Sequence, residues 1–230
     1  MLTRKRVPEL MDDPSLDSSS HFEALRGLER LNFFSSSASS LWSRIKPLAQ
    51  TARNLSILDI ATGGGDIPIS LYSLAKNDDL NLSITGADIS QTALDYAQGK
   101  AARCGAKVDF IKLDALNDEI PSGYDVVTTN LFTHHLDPPD VIKLLRRMGS
   151  SAQKLVLVND LVRSNVSYSL VWLATRLLTR SPVVQYDGPV SVQGSYTGAE
   201  FLKMATEAGL ANSEIQSCPP CRQILHWVKS

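Results

Sequence analysis

The stretch ILDIATGGGDIPIS, residues 57–70, decides how the rest of the chain is read. A β-branched apolar run ends around Asp59, three glycines follow at 63–65, and Asp66 and Pro68 open a segment that can become helix. Such a loop can cradle a phosphate, hold another part of a nucleotide, or simply turn tightly. A diphosphate needs GxGxxG, because the helix's first turn must approach the anion closely and pack against the strand. Here Gly63 and Gly65 supply two positions, but Pro68 occupies the third. Asp59 would also repel an anion. It suits a cation.

Outward from the loop, short β-branched runs recur at 55–61, 82–88, 107–114, 124–130 and 154–160, each with a polar residue at or near its end. Helical patterns fill the gaps at 67–77, 90–105 and 137–152, the second with Ser90 as N-cap and Gly105 as stop. A further helix is expected at about 198–208, ended by Gly209, and the runs 210–218 and 222–230 read as a final pair of strands joined by a Pro-Pro turn. This alternation predicts an α/β fold: a Rossmann-like, seven-stranded, mostly parallel sheet with helices on both faces and the last strand antiparallel. Ligands of such sheets bind at the carboxyl ends of the strands.

Residues 1–53 read as an N-terminal helical cap, with HFEALRGLERLNFF (21–34) carrying apolar residues at helical spacing. The core is expected over 54–230, with a lid insertion at about 161–196: an amphipathic stretch at 167–180, then a loop containing YDGPVSVQGSYT (186–197). The 230 residues suffice for one core domain. A net charge of −1 gives no general attraction to nucleic acid or anionic membrane. The N-terminus does not read as a secretory signal, and the longest apolar run, 169–178, is too short for a membrane span and contains Arg176, so a cytoplasmic protein is expected. Cys218 and Cys221 in CPPC read as a turn between late strands, since no second CxxC completes a zinc set.

Asp88 lies at the end of the second strand, about 20 residues past the loop, where a carboxylate accepts from ribose hydroxyls. Asp114 ends the third strand, where it could accept from an exocyclic amine. These positions point to a ligand with an ammonium group, a ribose and an adenine but no diphosphate, and S-adenosylmethionine fits all four features.

LDIATGGGD (58–66), GADIS (86–90), IKLDAL (111–116) and YDVVTTNLFTHHL (124–136) resemble successive motifs of the class I S-adenosylmethionine-dependent methyltransferases. The likeness covers about 55–160 and is strongest to the small-molecule branch that includes ubiquinone and menaquinone biosynthesis methyltransferases. It implies Asp59, Gly63 and Gly65 around the methionine part, with Ala61, Thr62 and Asp66 also among the cofactor-binding residues. It implies Asp88 at the ribose, Asp114 and Ala115 at the adenine, and Asn130 and Leu131 beside the sulfonium, with Ile89 a further cofactor-binding residue. Ala61 departs from the family loop by replacing its first glycine, and Asp66 has the simpler reading of a carboxylate in a helix's first turn. NDLVRS (159–164), DGPVSV (187–192) and SYTGAEFLKMATEAGL (195–210) resemble a bacterial subgroup of polyketide or phenolic pathways.

The sulfonium makes the methyl donor reactive, so positioning supplies much of the acceleration and the acceptor needs only a lone pair. A phenol with a pKa of about 10 requires a base, and His134 and His135 follow the fourth strand. Adjacent rings point in different directions, so both cannot serve, and a structural role is open for each. No third ligand at suitable spacing makes them a metal site. Arg30, Asn32, Arg163, Tyr168 and Tyr196 are candidates for the acceptor pocket, whereas Trp172 reads as packing on its helix's apolar stripe. The expected activity is O- or C-methylation of a small aromatic acceptor, phenolic, quinol or polyketide, by a monomer or homodimer without a nucleic-acid partner or membrane span. Alternatives are a nucleic-acid or protein methyltransferase, a nicotinamide dehydrogenase, and a non-catalytic S-adenosylmethionine-binding module. Against the base methylases stands NLFT (130–133), where they carry Asn or Asp followed by Pro-Pro and an aromatic.

Overall fold

The computed structural model describes residues 3–13, 15–17, 19–20, 22–27 and 37–229. Seven strands form one sheet: β1 (Leu55–Ile60), β2 (Leu82–Asp88), β3 (Val108–Lys112), β4 (Tyr124–Asn130), β5 (Ala152–Leu161), β6 (Glu214–Cys218) and β7 (Arg222–Val228). Their order is β3-β2-β1-β4-β5-β7-β6. The first five run parallel, and β7 inserts antiparallel to both β5 and β6. The expected architecture is thus present, with the last strand of the chain as the reversed one.

Alternation along β1 divides the interior. Leu55 and Ile57 join Ile84, Val126 and Leu157 on one face, covered by α1 (Ser37–Thr51) and α2 (Asp66–Asn77). Leu58 and Ile60 join Val127, Val156 and Val158 on the other, covered by α4 (Pro138–Ser151) and α7 (Gly198–Glu207). Each fully buried Leu or Ile contributes about 1.5–3 kcal/mol relative to exposure, so a slip of one residue in β1 would exchange the two faces at prohibitive cost. Between α2 and α4 lies α3 (Gln91–Cys104), where the Ser90 side chain accepts from Ala93 N and Gly105 ends the helix at φ +63°. α7 carries a full capping box between Thr197 and Glu200.

Two regions differ from expectation. The segment read as a loop over 186–197 is mostly helix: α5 (Asn165–Leu178) is followed by α6 (Pro182–Gly194), which contains Gly188 and Pro189. Packing overrides the local signal, because a Cβ at Gly188 would lie 2.6 Å from Thr175 Cγ2 and 3.1 Å from Val171 Cγ1, so the glycine lets α6 press against α5. The second is the N-terminus. Residues 3–9 have no regular secondary structure and lead into a 3-10 turn at Leu10–Asp12, while residues 22–27 are helical. Two side-chain acceptors on α6 explain the turn's place: Leu10 N and Met11 N donate to the Asp187 carboxylate at 2.8 and 3.0 Å. Of the described residues before the sheet, α1 is flank cover, tied down by Trp42 Nε1 donating to Asp78 at 2.8 Å.

Gly188→Ala should therefore force α5 and α6 apart and lower the unfolding free energy by about 1–3 kcal/mol, read as a reduced urea midpoint. Gly105→Ala, which meets no neighbour but sits at positive φ, is the comparison for backbone strain alone.

Candidate active site

The carboxyl ends of β1, β2 and β4 open into a cavity of about 1320 Å³. Its floor begins at the glycine loop. Thr62 N donates to Ala87 O and Gly65 N to Thr62 O, both at 3.0 Å, which closes the turn between β1 and α2. Gly65 has φ +74°, and a Cβ there would meet Ala97 Cβ at 2.9 Å and Phe110 Cζ at 3.1 Å. Ala61 also adopts a left-handed backbone, φ +54°, which explains why a glycine suits that position and places strain of about 1–3 kcal/mol at the cavity edge.

Every sequence-predicted cofactor residue lines this cavity except Gly65, whose missing side chain serves packing against α3 and β3. Asp59 is buried; its Oδ2 accepts from Thr62 Oγ1 at 2.7 Å, and its Oδ1 has no hydrogen-bond partner among the described residues. Burial raises its pKa to about 7; the Thr62 hydrogen bond opposes this, and the charges of Asp88 and Asp66 add to it. Asp88 is fixed by backbone donors, Gly63 N at 2.8 Å and Ser90 N at 2.9 Å. Asp114 accepts from Leu116 N, Asn117 N and Asn117 Nδ2, the geometry of a turn former at the cavity rim. Asp66 pairs with Lys100 Nζ at 2.6 Å, so its charge is already engaged. Ile89, Ala115, Asn130 and Leu131 complete this half.

The substrate-side expectations fare differently. Arg163, Tyr168 and Tyr196 do not line the cavity. Arg163 donates to Ser195 O and to Glu200 Oε1, both at 2.7 Å, and so holds the start of α7. Tyr196 donates to Leu136 O at 2.7 Å and carries the Arg4 guanidinium 4.2 Å over its ring. Tyr168 packs instead with Leu161, Val192 and Cys221. Trp172 is 44% exposed beneath Arg176 rather than packed on a stripe. Arg30, Asn32 and His21 lie outside the described residues. The other wall of the cavity comes instead from Leu170, Val171, Leu173, Ala174 and Leu177 of α5 and Val184 of α6, with Leu16 and Leu25.

His134 and His135 both face the cavity from the 3-10 turn Thr133–His135. His134 is buried, with Nδ1 at 2.7 Å from Asp160 Oδ1 and Nε2 at 3.5 Å from Glu9 Oε1. Burial would lower its pKa, but the Asp160 and Glu9 carboxylates outweigh burial and push it up to about 10. In turn His134 brings Asp160 down to about 2 against the burial of that carboxyl. Glu9 arrives from the N-terminal segment, and its Oε2 lies 3.9 Å from His135 Nε2. That segment is latched: Arg4 donates to Gly194 O at 2.7 Å and Leu136 O at 2.6 Å, and Arg6 to His135 O at 2.8 Å. Sequence spacing could not reveal Glu9, which is remote in the chain. Arg222 of β7 was also missed; it is buried yet lines the cavity, with Nη1 3.5 Å from Asn130 Oδ1 and its pKa brought down to about 10 by burial.

Residues 57–154 match the family model described as "Methyltransferase domain". A ubiquinone biosynthesis O-methyltransferase of Nitrosomonas europaea is 30% identical over 168 residues, 69% of this chain and 65% of that protein. A release factor glutamine methyltransferase of Streptococcus pneumoniae is 43% identical over 77 residues, 34% of this chain and 26% of that protein. The chain thus spans just under two thirds of the first and about a quarter of the second. Among solved structures, the plantazolicin methyltransferase BpumL in complex with SAH superposes with a TM-score of 0.67 at 20% identity, over 95% of this chain and 91% of that one. The fold is common to both.

Asp160→Asn leaves the buried His134 ring without its nearest counter-charge. The expected loss is about 3–5 kcal/mol of unfolding free energy at pH 7, measured by urea titration.

Proposed function

We propose, from its likeness to the class I S-adenosylmethionine-dependent methyltransferases, that this chain transfers a methyl group from S-adenosylmethionine to a small, largely apolar acceptor. The observation that carries this reading is one continuous cavity in which acidic strand ends form one half and two histidines with an aliphatic wall form the other. The cofactor supplies a methyl group already activated on a sulfonium. Asp59 receives its ammonium group, for which the unpartnered Oδ1 is suited. Asp88, held rigid by two backbone N–H groups, accepts from the ribose, and Asp114, Ala115 and Ile89 border the adenine. Asn130 and Leu131 border the sulfonium end, beside the histidine turn.

The acceptor takes the aliphatic half. α5 and α6 exclude water from the donor there, which favours displacement by the acceptor over hydrolysis. Any proton the acceptor must lose leaves through the corner formed by Glu9, His134 and His135. His134 has one ring nitrogen on Asp160 and the other toward Glu9, so it holds this corner, and His135 is the more accessible of the two rings. A phenolic, quinol or polyketide acceptor, methylated on oxygen or carbon, fits such a wall. Three free thiols accord with a cytoplasmic setting. A protein amide is the second reading, favoured by the 77-residue match to a glutamine methyltransferase.

Transfer of labelled methyl into a panel of phenols, quinols, polyketides and peptide amides tests the reading, and no labelling of any small acceptor would defeat it. Asp88→Ala should weaken S-adenosylhomocysteine binding at least tenfold by calorimetry, since charge-assisted hydrogen bonds contribute about 1.5–3 kcal/mol each.

Asp59 gives the binding a pH dependence. With its pKa raised to about 7, the empty site holds a proton that an incoming ammonium must expel. Affinity for S-adenosylhomocysteine should rise up to about tenfold per unit between pH 5 and 7 and level off above. In the ligand-free protein the same raised pKa gives stability that is full at low pH and lost as pH rises through about 7. Asp59→Asn should therefore flatten the binding profile and stabilise the empty protein at pH 8.

A further inference from the structure

The carboxylate of Glu9 and the Nε2 atoms of His134 and His135 converge at the mouth of the acceptor half. All three ligand atoms lie within 4.8 Å of one another. At 3.5 and 3.9 Å, the two carboxylate-to-imidazole separations exceed the range of good hydrogen bonds. The first, from Glu9 Oε1 to His134 Nε2, lies near the ~3.4 Å edge of a tetrahedron whose metal–ligand bonds are ~2.1 Å, and the second runs from the other carboxylate oxygen, Oε2, to His135 Nε2. We propose that Glu9, His134 and His135 bind a divalent metal ion of the zinc class.

Outer contacts support the donors as they do in zinc sites, where a carboxylate commonly fixes the ring of a ligating histidine. Asp160 Oδ1 engages His134 Nδ1 at 2.7 Å, so that Nε2 turns to the centre. The other Asp160 oxygen is itself held by Thr133 Oγ1 at 2.5 Å and His134 N at 3.1 Å. Glu9 Oε1 accepts from Ser191 Oγ at 2.6 Å. Two nitrogens and one oxygen match the His2Glu donor set of zinc sites that keep a position open. All three ligands line the cavity, so that position faces the acceptor. The assignment deepens the proposed function, on which it rests for one point only: the ion would take an oxygen atom of the acceptor and so select acceptors bearing a hydroxyl near the donor methyl group. Ion binding itself stands without that reading.

The full chain, freed of metal with EDTA and then dialysed, is titrated with ZnCl2 by calorimetry and with CoCl2 by visible absorption. One zinc per chain with a dissociation constant of about 1 μM or tighter is expected, together with cobalt bands characteristic of four- or five-coordination. His135→Ala and Glu9→Gln should each weaken zinc binding at least 100-fold while circular dichroism and S-adenosylhomocysteine binding stay at wild-type values. Absence of stoichiometric zinc overturns the site. So does zinc that survives His135→Ala but disappears in the Cys218→Ser, Cys221→Ser double variant. Wild-type protein that binds zinc but not S-adenosylhomocysteine would defeat the methyltransferase reading and leave the metal site standing.

Discussion

The Asp160 carboxylate, at the end of β5, ties together groups that no sheet hydrogen bond reaches. One oxygen takes the His134 ring and Leu161 N, and the other takes Thr133 Oγ1 and His134 N. The turn after β4 is thereby fastened to the neighbouring strand at its inner edge. A carboxylate with this many donors is stable when buried, whereas one without them would neutralise. The positions of both histidines, and through them of Glu9, follow from this anchor.

A second layer rests on it. Once the turn is fixed, its carbonyls at His135 and Leu136 present acceptors, and the N-terminal segment docks on them through Arg6 and Arg4. The same segment reaches α6 through Asp187 and Ser191. Residues from the start of the chain, the sheet's inner edge and the late helical pair therefore meet around one cavity, although none is near another in sequence.

The sheet and the glycine loop were legible because their signals are local. β-branched runs ending in Asp59, Asp88 and Asn130 mark strand ends, and Gly63–Gly65 mark a turn whose backbone crosses into positive φ at Gly63 and Gly65. The helical wall opposite was not, because its determinants are tertiary. Gly188 and Pro189 carry the local signature of a loop, yet Gly188 is what allows α6 to lie on α5. Tyr196 and Arg163 looked like pocket residues and instead hold Leu136, Ser195 and Glu200 in place. Glu9 carries no motif at all, and only the fold brings it to the histidines.

The two halves of the cavity differ in how they are built. Acidic groups stand on strand ends locked by parallel pairing and by backbone N–H donors, so their positions follow from the whole sheet. The aliphatic wall stands mostly on α5 and α6, which lie between β5 and α7 in the chain and contribute no strand. Substitutions at Leu170, Leu173 or Val184 can therefore reshape that wall without disturbing the register of the sheet or the carboxylates it presents. The shape of one half of the cavity is in this way mechanically independent of the other, because a change in one helical pair leaves the strand ends where they are.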